Sequence, residues 1–334
     1  MTSNSGVDVA TPESPSIPGL RFRRYRDDSD YASIADLIAA GHLADGDDYL
    51  PDATSLRIDF EHTTDLDRSR DLLFAELDGM LIGYGSVSRQ VRDGVAVHVT
   101  AGMVHPAYRR RGLGRAILRR NEARLREIAT GHEDARREFG SWIGDREAGA
   151  RELLESEGYR AVRRFFAMIR SDLGALPDAP VPAGIELRAL EPTDHRAVFE
   201  ASNEAFRDHW DHREQTEEDF VAFFSVPDLR PDLSLVAWDG EQVAGSILTF
   251  VWTNENEKLG QRRAWFERIS VRRPWRRRGL ARAMIVAALA RVGEADLDAA
   301  MLGVDVENVS GALRLYESVG FTVDDTGTAF RKAW

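Results

Sequence analysis

Two short segments of this chain have the residue types and spacing of an anion site. VHPAYRRRGLGRAIL begins at Val104 and VRRPWRRRGLARAMI begins at Val271. In each, a strand-like run meets an R-x-x-G-x-(G/A) turn and continues into an amphipathic stretch. The turn residues are Arg109, Gly112 and Gly114 in the first copy and Arg276, Gly279 and Ala281 in the second. Glycine or alanine lets the backbone approach a ligand closely. The first free N–H groups of the following helix, at the positive end of its dipole, then point at the bound group. The contributing residues are Met103, Val104, Arg109, Arg110, Arg111, Gly112, Leu113, Gly114 and Arg115 in one copy. In the other they are Ile269, Ser270, Val271, Arg276, Arg277, Arg278, Gly279, Leu280, Ala281 and Arg282. A P-loop is excluded because neither lysine follows such a loop, and a dinucleotide fingerprint needs glycine where Ile117 and Met284 stand.

The two segments are 167 residues apart and identical at eight of fifteen positions. A second pair of landmarks, Gly158-Tyr159 and Gly320-Phe321, follows at an offset of 162. Such self-similarity points to a duplicated domain. The natural boundary is LGALPDAPVPAG, residues 173–184, where three prolines interrupt the pattern. The expected organisation is a disordered tail over 1–19, a first domain over 20–172, a linker over 173–184 and a second domain over 185–334.

Each half must then supply elements that aim its turn. In the first half we expect a strand at 20–26, a helix at 28–43, and strands at 72–78 and 81–90 joined by Asp78-Gly79. A strand at 95–104 and a helix at 112–128 follow. The second half repeats this order from IELRAL through AWFERISV, GLARAMIVAALARV and SGALRLYESVG. The fold class is α/β (α+β): two tandem domains, each a mixed, mostly antiparallel twisted sheet flanked by helices.

Composition narrows the function. The 334 residues are 43% hydrophobic, with no run long enough for a membrane span and no signal-like N-terminus, so a cytoplasmic location is expected. Zero cysteines exclude disulfides, thiolate metal sites and a cysteine nucleophile. A net charge of −12 argues against nucleic-acid binding and allows a cationic substrate. The chain has two lysines, Lys258 and Lys332, against 42 arginines, the bias expected of a GC-rich genome, with arginine-based surface ion pairing in a thermophile as the alternative. No metal is expected. HWDH (209–212) is the nearest thing to a ligand cluster, and isolated His98 and His105 read as structural.

Strand, R-x-x-G-x-(G/A) turn and helix together resemble motif A of the GNAT superfamily of acetyl-CoA-dependent N-acetyltransferases. GVDVENVSGALRLYESVGF in the second half is similar to that family's next block. The tandem layout and AFRDHWD (205–211) resemble the two-domain, mycothiol-synthase-like GNATs of actinomycetes and related bacteria. The resemblance implies acetyl-CoA as cosubstrate, its pyrophosphate on the loop amides, and direct transfer to a primary amine of a small molecule. Acetylation of an amino-thiol sugar and a non-catalytic acyl-CoA sensor are the alternatives, and the protein is either a monomer or a homodimer.

Strand alternation puts Trp265, Glu267, Ile269 and Val271 on one face, so Glu267 is the candidate base for the acceptor ammonium, or else a carboxylate paired with an arginine. Some family members carry the base two residues earlier, where Trp265 stands. The resemblance makes Tyr316 the proton donor to the leaving thiolate and Asn308 a contact for the pantetheine arm. A core tyrosine and a helix N-cap are the plain alternatives for these two. In the first half the equivalent positions are Thr100, Leu154 and Arg146. All three differ, so the second domain is expected to be catalytic and the first degenerate.

Overall fold

A computed structural model of the chain describes residues 15, 17–63, 65–308 and 311–334, so most of the expected tail lies outside the described residues. The chain forms two compact units. One comprises residues up to Val162 together with Thr328–Trp334; the other is Arg163–Gly327.

In the first unit, β1 (Arg21–Arg24), α1 (Ser29–Asp45), α2 (Ala53–His62) and α3 (Arg68–Asp71) precede β2 (Leu72–Leu77), β3 (Met80–Arg92) and β4 (Val95–Val104). Then come α4 (Leu113–Ala129), β5 (Arg137–Gly144), α5 (Ala148–Ser156) and the start of β6 (Arg160–Arg170). The sheet order is β1-β2-β3-β4-β5. Every pair is antiparallel except β4 with β5. Period-two alternation sends Leu72 and Phe74 to a core under α1 and α2, and Leu73 and Ala75 to a core under α4.

The second unit takes β6 from Arg163, then β7 (Ile185–Ala189), α6 (His195–Phe206), α7 (Glu217–Ser225), β8 (Leu235–Asp239), β9 (Gln242–Phe250) and α8 (Thr253–Leu259). It continues through β10 (Arg263–Val271), α9 (Leu280–Glu294), β11 (Ala299–Asp305), α10 (Ala312–Ser318) and the first part of β12 (Thr322–Ala333). The order β6-β11-β10-β9-β8-β7 again contains one parallel pair, β10 with β11. Leu235 and Ala237 of β8 face the α9 core, while Val236 and Trp238 face the α6 and α7 side.

The compact units do not divide at the proline-rich segment. Phe165–Arg170 pair with β11 and so belong to the second sheet, while Phe330 packs with Phe139 and Tyr159 in the first unit's core. Prolines mark where regular structure stops; strand pairing decides which sheet a segment joins. Among the described residues, no helix is long and apolar enough to cross a membrane.

Candidate active site

The two Arg–Gly turns share one geometry. Each follows its strand through a short 3-10 turn, Pro106–Tyr108 or Arg273–Trp275. Arg110 and Arg277 take φ of 62° and 63°, and Gly112 and Gly279 take 84° and 82°. Left-handed residues at these points curl the chain so that successive amides converge on one spot. No side chain caps α4 or α9 among the described residues, which leaves their first-turn amides for an anion.

The first arginine of each motif does not face that spot. Arg109 Nε donates to the Val104 carbonyl at 3.2 Å, and its terminal nitrogens bind Asp45 at 2.6 and 2.8 Å. Arg276 repeats the pattern, with Nε on the Val271 carbonyl at 2.9 Å and Nη1 on Asp208 at 2.8 Å. Both therefore brace the turn against the end of a helix earlier in the unit, α1 or α6. Arg273 joins the second brace through Asp208, and the two arginines hold that carboxyl well below its ordinary range. His209 follows Asp208, packs on Phe206 at 4.3 Å and has its pKa lowered by burial, then by Arg276. The HWDH segment thus lies against the turn.

The other assigned residues divide between core and rim. Leu113 and Leu280 are buried anchors of α4 and α9, and Ala281 and Gly114 are half-buried at the helix starts. Ser270 Oγ is 2.9 Å from Ser246 Oγ in a buried pair, so Ser270 has only its backbone to offer a ligand. Met103 is buried toward α1, where its sulfur accepts from Arg109 at 3.8 Å. Arg282 binds Ser318 Oγ at 2.9 Å. Arg277 and Arg278 are exposed. In the first unit Arg110 reaches Glu152 at 2.5 Å, Arg115 reaches Glu157 at 2.8 Å and Arg111 lies over Tyr108.

The strands feeding the turns differ. β4 pairs with β3 without interruption, Val87 opposite Thr100. β10 carries a bulge: Phe266 faces Thr249, Arg268 faces Leu248, and Glu267 has no partner between them. The inserted residue switches the parity of the strand. Ala264 and Phe266 point to the α9 core before it, Ile269 and Val271 after it. The expected single face of Trp265, Glu267, Ile269 and Val271 is thus corrected: Ile269 and Val271 turn into the core, and Glu267 does not. The parallel ladder of β10 with β11 stops at Phe266 opposite Leu302, where the bulge begins.

Glu267 accepts a hydrogen bond from Trp252 Nε1 at 3.1 Å. It is exposed, yet packed protein around it desolvates the carboxylate and raises its pKa; the Trp252 bond opposes that shift, Glu255 adds to it and Arg268 opposes it. Exposure combined with crowding describes a group on the wall of a cleft. Trp265, at the position two residues earlier, donates instead to Glu255 at 3.3 Å, and Glu255 is itself buried against Arg263.

Tyr316 lies in the α9 core, edge-on to Phe321 at 6.2 Å, and burial raises its pKa to about 12. It stays protonated at neutral pH, the state a proton donor requires. Asn308 is half-buried before α10, whose N-cap is Gly311, so the N-cap alternative for Asn308 does not hold.

The first unit has a cavity of about 530 Å³ beside its turn, bordered by Thr100, Val104, Gly112, Gly114 and Leu154. Thr100 Oγ1 accepts from Asn121 at 2.9 Å, which occupies the position of a candidate base with a structural hydroxyl. His98 is fully buried against Trp334 and His105 caps a 3-10 turn, both structural roles. Sequence reasoning missed two features here. Asp59 on α2 is pushed up to about 6 by burial, and His42, Asp47 and Glu147 each offer one possible metal-ligating atom within 4.8 Å of the others. Among the described residues this trio, and not HWDH, brings three potential ligand atoms together. His42 Nδ1 is 2.7 Å from the Tyr49 carbonyl, and Asp47 and Glu147 accept from backbone amides.

Comparison with known proteins places this architecture. The acetyltransferase (GNAT) family matches residues 33–135 and again 195–321, one match on each Arg–Gly turn. A mycothiol acetyltransferase from Salinispora arenicola is 31% identical over 299 residues, 88% of this chain and 91% of the relative. One from Thermomonospora curvata is 34% identical over 259 residues, covering 76% and 80%. Among solved structures, a GCN5-related N-acetyltransferase from Sphaerobacter thermophilus superimposes with a TM-score of 0.72 at 27% identity, covering 95% of this chain and 96% of that one. A tandem GNAT protein from the clavulanic acid pathway shares the fold at 17% identity with a TM-score of 0.67, covering 94% and 98%. The chain belongs to the GNAT acetyltransferase family and is a tandem acyltransferase. Acyl-CoA is the donor class for such enzymes.

Proposed function

We propose that the chain transfers acetyl from acetyl-CoA to a primary amine of a small molecule, with the chemistry in the second unit. The observation that carries this reading is Glu267: a crowded yet exposed carboxylate, set out of the core by a bulge, on the strand that ends in an uncapped helix start. The amides of residues 277–282 hold the pyrophosphate of CoA. The free edge of β10 beyond Phe266 and the Asn308 side chain take the pantetheine arm, and the first turn repeats the backbone shape of the cradle with the Glu152 carboxylate beside it.

Glu267 takes the ammonium proton, and its raised pKa makes that transfer less unfavourable. The neutral nitrogen attacks the thioester carbonyl, and the C–S bond breaks as Tyr316 protonates the leaving thiolate; the second proton shed by the new amide nitrogen restores the Tyr316 hydroxyl, and Glu267 releases the first to solvent. Holding both reactants in register supplies much of the rate. The relatives favour an amino-thiol sugar as a second acceptor reading. Trp265 and the displaced carboxylate at Glu267 point away from it.

Calorimetric titration with acetyl-CoA, followed by a panel of primary amines including an amino-thiol sugar, tests the proposal. Saturable acetyl-CoA binding with amine-dependent CoA release supports it. Binding without release from any amine leaves the sensor alternative, and no binding at millimolar acetyl-CoA removes the reading.

A further inference from the structure

The bulge that exposes Glu267 also turns the next residue, Arg268, toward the α6 and α7 side of the sheet. Its guanidinium lies over the Phe223 ring at 4.7 Å and the Phe199 ring at 6.0 Å. The acid nearest in character, Asp219, is already held by both terminal nitrogens of Arg213 at 2.5 and 2.6 Å. Among the described residues Arg268 makes no hydrogen bond and no ion pair, although Arg213, Arg263, Arg272 and Arg276 of the same unit each pair with a carboxylate. Five N–H donors on aromatic walls, half-buried and without an acceptor, form a receptor for a planar anion.

We propose that Arg268 binds a carboxylate on the acceptor, so that the substrate class is an amine that also carries a carboxylate. This rests on the reading of Glu267 as the base. Adjacent residues at the bulge present a carboxylate for the ammonium and a guanidinium for the carboxylate, the two ends of an amino acid. Phe199, Phe223 and Trp252 supply apolar walls for the skeleton between or beside them. Packing around Arg268 lowers its pKa to about 10, so the guanidinium remains charged at neutral pH while its desolvation cost is already met in the folded state.

The test separates anion binding from transfer. 3-Phenylpropionate and its neutral amide, 3-phenylpropanamide, are titrated calorimetrically into the full chain. Wild type is expected to bind the acid at least about tenfold more tightly than the amide, the scale of a bidentate charge-assisted contact. Arg268→Gln removes the preference, Arg268→Lys keeps part of it, and Glu267→Gln keeps or strengthens it by removing a neighbouring negative charge. Equal binding of acid and amide by wild type, or an unchanged preference in Arg268→Gln, overturns the proposal. A parallel acetyl-CoA titration reports on the acetyl-transfer reading alone. Acetyl-CoA bound without acid preference sinks Arg268, and acid preference without acetyl-CoA binding sinks the transfer reading instead. With phenylalanine and phenethylamine as paired acceptors, kcat/KM is expected to favour phenylalanine by the same ratio in wild type only.

Discussion

Arg109 and Arg276 clasp Asp45 and Asp208 in the same way, and the two turns they brace agree within a few degrees of φ. One strand before each turn, the likeness ends. β10 has a bulge at Glu267 where β4 runs straight through Thr100; α10 presents Tyr316 where α5 presents Leu154. The mouths differ in charge as well. Glu152 sits on Arg110 in the first unit, and the position 162 residues later is Arg314. The anion cradle is a property of backbone and braces, so it outlasts loss of the reactive groups. On the proposed reading the chemistry needs one inserted residue and two side chains, which the second unit has and the first, among its described residues, lacks.

The largest expected effect breaks the equivalence of the strands. Glu267→Gln lowers kcat by about a hundredfold at pH 7, the low end of general-base contributions. It also abolishes the rise of kcat with pH through the raised carboxylate pKa. Thr100→Val in the first unit leaves kcat within twofold of wild type. Steady-state kinetics across pH 5–9 decide both.

Tyr316→Phe lowers kcat by about tenfold with an unchanged melting temperature, because the ring keeps its contact with Phe321. Leu154→Ala costs stability and no activity. A Tyr316→Phe enzyme at full rate assigns that residue to the core alone.

The turns themselves test occupancy. Gly279→Val puts a β-branched residue at φ 82° and raises KM for acetyl-CoA, while Gly112→Val, at φ 84°, does not. In wild type the Glu152 carboxylate beside the first turn opposes a pyrophosphate there. Glu152→Arg is expected to tighten that site roughly threefold to tenfold, within the range of a screened surface charge. Calorimetric stoichiometry moving from near one toward two is the readout.

The smallest effect concerns stability. Because Glu267 binds its proton more tightly folded than unfolded, its ionised form costs stability at neutral pH. That cost fades as pH falls through the raised pKa. Glu267→Gln therefore melts slightly higher than wild type at pH 7 and equally at pH 4. A lower melting temperature at pH 7 would falsify the cleft assignment for this carboxylate.

The duplication, the two turns and the strand Val95–Val104 were legible in sequence because each is a local pattern: a repeat, a glycine spacing, an alternation. The braces were not, since Asp45 and Asp208 lie 64 and 68 residues from their arginines. Nor was the bulge. A single unpaired residue leaves the composition of a strand unchanged and shows only when the partner register is known. β5 (REFGSWIG) lacks alternation and is a strand through its pairing with β4 and β12, neighbours distant in sequence. α7 was missed although Thr216 and Asp219 form a capping box, a signal present in the sequence.

One consequence concerns synthesis. Phe330 completes the first unit's core beside Phe139 and Tyr159, and Trp334 covers His98. Those residues leave the ribosome after every residue of Arg163–Gly327, at about 5–20 residues per second. The domain translated first is therefore the one that finishes folding last. During the interval its exposed sheet edge is the part of the nascent chain that a chaperone has most reason to hold.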